Sequence, residues 1–192
     1  EASGVKGGLI SHLGCGDGQL TAALLTNDRM LVHGLDADRD DVAKARDHIH
    51  GLGLYGKVTV ASFDGKRLPY TENLVNLIVS EEPGGVTMKE MFRVLVPGGV
   101  VCERQGGGWK KTVKPWPKTI DEWTHFLHGP DNNAVARDAT VNIPRSIQWV
   151  TGPRWGRTHE EMASLSAAVT ANGRIYYIVD EATLTSIRFS SK

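Results

Sequence analysis

Three glycines at every second position, Gly14, Gly16 and Gly18, stand in HLGCGDGQLTAALL (12–25) between an apolar run and a stretch of helical spacing. A glycine turn lets backbone N–H groups approach a ligand that a Cβ would hold away. The dinucleotide fingerprint requires G-x-G-x-x-G. Here the third glycine comes one residue early and Gln19 takes its place, so a pyrophosphate resting on the helix N-terminus is disfavoured. The plainer alternative is a tight turn. Asp36 closes the apolar run MLVHGLD (30–36), 18 residues beyond Gly18. A carboxylate there can accept hydrogen bonds from both hydroxyls of a ribose, or Asp36 or Asp38 simply caps the next helix. Asp64 ends the alternating run KVTVASFD (57–64), where an acid can accept from an adenine amino group or sit in an Asp-Gly turn.

These residues need a scaffold that brings strand ends together. LISHL (9–13), MLVHGLD (30–36), KVTVASFD (57–64), LVNLIVS (74–80) and VVCERQ (100–105) read as five strands. Helical spacing separates them over 18–27, 38–53 and 86–96; Asp38 is a possible N-cap, and Pro97-Gly98-Gly99 stops the last helix. Alternating strands and helices predict an α/β, Rossmann-like, doubly wound and mostly parallel sheet with its first strand central. Near-continuous apolar strands fit burial on both faces.

With these motifs in order, residues 5 to about 105 resemble class I S-adenosylmethionine (SAM)-dependent methyltransferases. HLGCGDGQL, HGLDAD, FDGKRLPY, LVNLIVS and MFRVLVPGG carry the resemblance. It implies SAM as cofactor, bound by Gly14, Cys15, Gly16, Gly18, Asp36, Ala37, Asp64 and Gly65, with Asp36 at the ribose and Asp64 at the adenine. It also implies that Glu81 and Glu82, after the fourth strand, face the substrate; the alternative is a pair of solvent-facing loop acids. The implied function is methyl transfer to an unidentified acceptor. Two departures favour a rival reading, a non-catalytic module of the same fold that supports a second domain. His12 stands where the family has an acid that helps hold the methionine amino group, and Asn76 stands where it has Asp. The family's closing antiparallel strands are short here, with WKKTVKPW a candidate for one of them.

The character of the chain changes after Gln105. Residues 106–140 read as a Trp- and Pro-rich linker with a short helix at 120–128, where Thr119 and Glu122 are spaced as a capping box. Residues 141–192 read as the incomplete start of a β-rich domain, with a hairpin over 165–179 turning at Asn172-Gly173. The run from WTHFLHGPDNNAVA onward resembles the entry to a quinoprotein-like β-propeller of the pyrroloquinoline-quinone-repeat type. In exported bacterial proteins such a propeller follows a methyltransferase-like domain. That resemblance points outside the cell, whereas a SAM-dependent enzyme belongs in the cytoplasm; both compartments stay open.

His125, His128 and Asp131 have a spacing that can gather a metal, but polar turn and cap residues are the commoner meaning, and no metal is expected. Lys110, Lys111, Lys114 and Lys118 interleave with Trp109 and Trp116. This reads as a solvated strand face over packed tryptophans rather than a nucleic-acid surface. Formal net charge is zero: residues 1–105 carry 11 basic and 14 acidic side chains, the remainder 11 and 8, too small a split to name a partner. Cys15 and Cys102 do not suggest a disulfide framework, and no apolar stretch approaches the roughly 20 residues of a membrane span. The chain begins without Met and stops in sheet-like sequence, and is read as a fragment.

Overall fold

The computed structural model describes residues 3–81, 84–141, 143, 147, 150 and 165–179, and the chain divides into two units, residues 1–116 and 117–192. In the first unit, β1 (Gly8–Leu13), β2 (Met30–Asp36), β3 (Val58–Ser62), β4 (Val75–Ser80), β5 (Leu95–Gln105) and β6 (Gly108–Val113) form one sheet in the order β3-β2-β1-β4-β5-β6. The first five strands are parallel to their neighbours, and β6 closes the sheet antiparallel to β5. Chain order reverses direction at β1, which lies inside the sheet between β2 and β4. That reversal opens a crevice at the strand C-termini.

The strands are apolar on both sides because helices cover both. Ile10, Val32, Val60, Leu77 and Val79 face Val42, Ala45 and Ile49 of α2 (Arg39–Gly51). Leu13, Leu35, Ile78 and Val101 join Met91 and Val94 of α3 (Met88–Val94) on the opposite face. Each fully buried aliphatic contributes roughly 1.5–3 kcal/mol relative to exposure. Asp38 caps α2 by accepting from the Asp40 N–H at 2.8 Å, as its type and place predict. Helix α1 (Gln19–Ala23) is shorter than the predicted 18–27.

Two expectations are corrected at the sheet's far side. The strand after α3 begins at Leu95 and runs through Pro97-Gly98-Gly99 rather than after it. The β4–β5 register shifts between Val75 and Leu77, and Gly98 N–H and Gly99 C=O bond to Lys114, which draws the turn-like residues into the ladder. WKKTVKPW does supply an antiparallel strand, but Trp109 and Trp116 are not packed beneath it: they are 47% and 48% exposed. β6 is the edge strand of the sheet.

In the second unit, β7 (Leu165–Ala171) and β8 (Arg174–Val179) pair antiparallel about Asn172 and Gly173, both at positive φ, as an Asn-Gly hairpin requires. Residues 120–128 are not helical. Glu122 Oε1 accepts from the Asn172 N–H at 2.8 Å instead of closing a capping box, Thr119 Oγ1 bonds to Thr140 Oγ1, and the Trp123 N–H donates to Thr170 Oγ1 while its C=O accepts from the Thr170 N–H. Tertiary partners have taken every group the helix would have used for its start. The propeller-like run over 141–192 lies largely outside the described residues. Among the described residues no helix is long and apolar enough to cross a membrane.

Candidate functional site

The carboxyl ends of the parallel strands surround a cavity of about 660 Å³, a size typical of small-molecule sites. Leu13, Gly14 and Gly16 line it from the β1 loop, and Asp36, Ala37 and Asp41 from the end of β2 and the start of α2. Phe63 and Gly65 follow β3, Glu81, Gly84 and Gly85 follow β4, and Arg104 ends β5. A more open depression of about 570 Å³ runs along α3 past Lys89, Phe92 and Arg93. None of the residues expected at the cofactor lines it.

The glycine loop divides its labour. Gly16 is at φ +50° and a Cβ on it would meet nothing within 4 Å, so its backbone faces open space. Its N–H donates to Asp36 Oδ2 at 3.0 Å, while Asp36 Oδ1 accepts from the Asp38 N–H at 3.0 Å. The acid predicted to hold a ribose therefore also ties the loop to the end of β2. Gly18 does not line the cavity: a Cβ there would stand 2.9 Å from the Ala45 Cα and Cβ, so this glycine serves the contact between α1 and α2. Cys15 points into the core, 3% exposed, and burial pushes its thiol up to about 12. It contributes backbone to the loop.

Asp64 Oδ1 accepts from the N–H groups of Lys66 and Arg67 at 2.8 and 2.7 Å, which lowers its pKa and shapes the turn carrying Gly65 to the cavity. Glu81 reaches the cavity and its Oε1 accepts from Arg104 Nη1 at 2.6 Å. Glu82 lies outside the described residues. Around the cavity three carboxylates, Asp36, Asp41 and Glu81, meet one guanidinium already paired with Glu81. The potential favours a ligand with positive charge.

His12 is buried (1% exposed). Its Nδ1 is 2.8 Å from Thr21 Oγ1 on α1, its Nε2 has no hydrogen-bond partner, and burial lowers its pKa against the opposing fields of Glu81 and Asp36. Asn76 is structural: its Oδ1 accepts from the Leu9 N–H at 3.0 Å at the far end of the strands from the cavity. An amide oxygen accepts there as well as a carboxylate would. Sequence reasoning missed Leu13, Phe63, Asp41, Gly84, Gly85 and Arg104. The available signal was positional, since residues just beyond the ends of parallel strands converge on one crevice.

In the second unit, His128 Nε2 pairs with Asp121 Oδ2 at 2.7 Å, and Asp131 pairs with Arg137 at 3.4 Å. The predicted His–His–Asp spacing is thus split between other partners, and no metal-holding cluster occurs among the described residues.

Residues 10–99 match the methyltransferase domain family. The match falls on the segment that carries the parallel sheet and the strand-end cavity. Methyltransferase GfsG of Streptomyces halstedii is 31% identical over 96 residues, covering 47% of this chain and 34% of that protein. The ubiquinone/menaquinone biosynthesis C-methyltransferase UbiE of Salmonella paratyphi B is 28% identical over 148 residues, covering 72% of this chain and 58% of that protein. The chain therefore spans only part of the length of the curated relatives it matches. The crystal structure of a SAM-dependent methyltransferase from Aquifex aeolicus matches 53% of this chain and 58% of its own, with a TM-score of 0.47 and 22% identity. A methyltransferase domain implies S-adenosylmethionine as its cofactor. The cavity fits it: an uncovered backbone turn at Gly16, a carboxylate at Asp36 and an excess of negative charge suit a ligand with a ribose and cationic groups.

Proposed function

We propose that the first unit transfers a methyl group from S-adenosylmethionine to an acceptor that enters beside Glu81 and Arg104. The observation that carries this reading is the Gly16 N–H to Asp36 Oδ2 bond, which joins the glycine loop and the strand-end acid at one cavity wall. Asp36 would hold the ribose hydroxyls, and Ala37, Phe63 and Gly65 would border the adenine. When bound, the cofactor supplies an electrophilic methyl group on a sulfonium. The protein's part is then to orient the two reactants and exclude water. Glu81 faces the cavity paired with Arg104, where the two side chains would anchor the acceptor.

Calorimetry with S-adenosylhomocysteine and with NAD tests the reading. Homocysteine-linked adenosine should bind and NAD should not. Asp36→Ala should weaken binding by about 1.5–3 kcal/mol for each charge-assisted bond lost. Failure of the parent protein to bind S-adenosylhomocysteine at millimolar concentration would leave a non-catalytic module of the same fold.

For the second unit we propose the entry to a propeller-like β domain. The Asn-Gly hairpin supports it, as does β8, whose Ile175, Tyr176, Tyr177 and Ile178 are 49%, 52%, 39% and 67% exposed. A strand with apolar residues on both faces suits a sheet packed between neighbours.

A further inference from the structure

Among the described residues that line the strand-end cavity, Arg104 is the one cation, and Asp36, Asp41 and Glu81 are the acids. The register fixes its place. Leu13 of β1 stands opposite Leu35 of β2 and Ser80 of β4, and Ser80 opposite Glu103 of β5, so the strand ends run Asp36, Gly14, Glu81, Arg104 across the sheet. Neighbouring strands lie about 4.8 Å apart, which sets the end of β5 roughly 14 Å from the end of β2. Gly16 and Asp36 are tied together on the β2 side. Arg104 stands at the opposite end of the row. A comparison with Arg93 shows how little of this guanidinium is engaged. Arg93 Nε and Nη2 donate to the two carboxylate oxygens of Glu90 at 2.8 and 2.6 Å, and Nη1 and Nη2 reach the carbonyls of Tyr70 and Leu68. Its donors all serve the fold. Arg104, among the described residues, donates through Nη1 alone, to Glu81 Oε1 at 2.6 Å, and its side chain is 57% exposed. A guanidinium holds five N–H donors in a fixed fork, so most of those on Arg104 stay open to a ligand. An exposed single-point pair contributes little to stability, and opening it costs correspondingly little.

We propose that Arg104 selects the acceptor: the molecule that receives the methyl group carries a carboxylate, which the Arg104 guanidinium grips in a two-point fork beside Glu81. This rests on the methyltransferase reading and names the class of its second substrate. The planar fork matches the two oxygens of a carboxylate with parallel N–H···O bonds, a pattern that a neutral amide or hydroxyl does not supply. Charge points the same way. Asp36 and Asp41 on the β2 side repel an anion from the end that suits a cationic cofactor, and Arg104 attracts it to the other. Glu81 competes with that carboxylate for Nη1. A neutral acceptor has nothing to offer in exchange for the pair, so Arg104 and Glu81 together discriminate between the two kinds of molecule.

The test is ligand-observed NMR on the whole chain saturated with S-adenosylhomocysteine, with benzoate, salicylate and glycolate each set against its own amide. The acids should bind, and each amide should bind about tenfold more weakly or not at all. Arg104→Gln should erase the difference between acid and amide. Glu81→Gln, which releases Nη1, should tighten the acids several-fold. Equal binding of acids and amides, no binding of any acid in the set, or a preference that survives Arg104→Gln overturns the proposal while the cofactor site stands. Calorimetry separates the two ligands: Arg104→Gln should leave S-adenosylhomocysteine affinity unchanged. A loss not shared by methylthioadenosine, which lacks the amino-acid tail, would assign Arg104 to the cofactor's own carboxylate and also overturn the proposal. Failure of the parent protein to bind S-adenosylhomocysteine overturns both readings. Should Arg104→Gln fail to fold, Glu81→Gln decides, and acids that bind it no more tightly than the parent refute the assignment.

Discussion

Gly18 lies so close to Ala45 of α2 that a methyl group on it would stand 2.9 Å from the Ala45 Cα and Cβ, whereas one on Gly16 would meet nothing within 4 Å. The two glycines of one motif therefore answer to different constraints. Gly18→Ala should cost about 3 kcal/mol in urea unfolding, from overpacking added to left-handed strain. Gly16→Ala should cost only about 1 kcal/mol. Its larger effect should appear in calorimetry as weakened S-adenosylhomocysteine binding.

The pair Arg104–Glu81 is short but exposed, at 57% and 37% of the side-chain surface. Surface pairs of this kind are worth about 0–1 kcal/mol. A double-mutant cycle with Arg104→Ala and Glu81→Gln should therefore return a coupling of less than about 1 kcal/mol in stability. Under the proposed function both variants should keep cofactor binding and lose turnover. A large coupling in stability would reassign the pair to holding the sheet ends together.

Beneath the opposite face of the sheet, Tyr70 Oη donates to Ser11 Oγ at 3.0 Å or meets His33 Nδ1 at 2.9 Å. Ser11 is fully buried. Tyr70→Phe leaves these two groups without their shared partner and should destabilise the first unit by about 1–3 kcal/mol in denaturant unfolding. Ligand binding should be unaffected, since Tyr70 does not line the cavity.

Burial lowers the pKa of both His12 and His33. The unfolded chain therefore takes up protons at higher pH than the folded one. Stability should be full above the unfolded histidine value of about 6.5 and fall as the pH drops through it. Urea midpoints measured across that range check the sign, and His12→Gln should make the fall shallower. A midpoint that rises on acidification would contradict the burial of these rings.

In the second unit, Asp121 Oδ2 accepts from the Arg137 N–H at 2.6 Å and pairs with His128 Nε2 at 2.7 Å. These contacts, the backbone bond first, lower its pKa. The order they confer should persist at neutral pH and fail only as the pH falls below the ordinary aspartate value of about 3.9. Trp123, whose ring lies edge-on to His128 at 5.2 Å, reports on it. Its fluorescence should change in that acid range in the parent, and at neutral pH on Asp121→Asn.

Strand and helix order, the doubly wound sheet and the Asn172-Gly173 hairpin were legible because each rests on local information. Apolar periodicity, a capping aspartate at Asp38 and a dipeptide suited to positive φ need no distant partner to act. The short helix expected over 120–128 failed for the converse reason. Its capping groups, Thr119 and Glu122, are drawn to Thr140 and Asn172, and no local rule states that those partners are near.

The same division runs through the candidate site. Residue types and spacing alone determined that a glycine turn follows the first strand, that acids end the second and third, and that the turn is not of the dinucleotide kind. Only the tertiary structure decided which glycine borders the cavity and which one admits α2, because both need the same absent Cβ and differ only in what stands opposite. Only the register of β1 against β2 and β4 set His12 opposite Gly34 and Val79, and only the pairing of β4 with β5 brought Arg104 to Glu81. Sequence records what a side chain can do. Burial and facing partners, set by contacts dozens of residues apart, decide which of its capacities remain free.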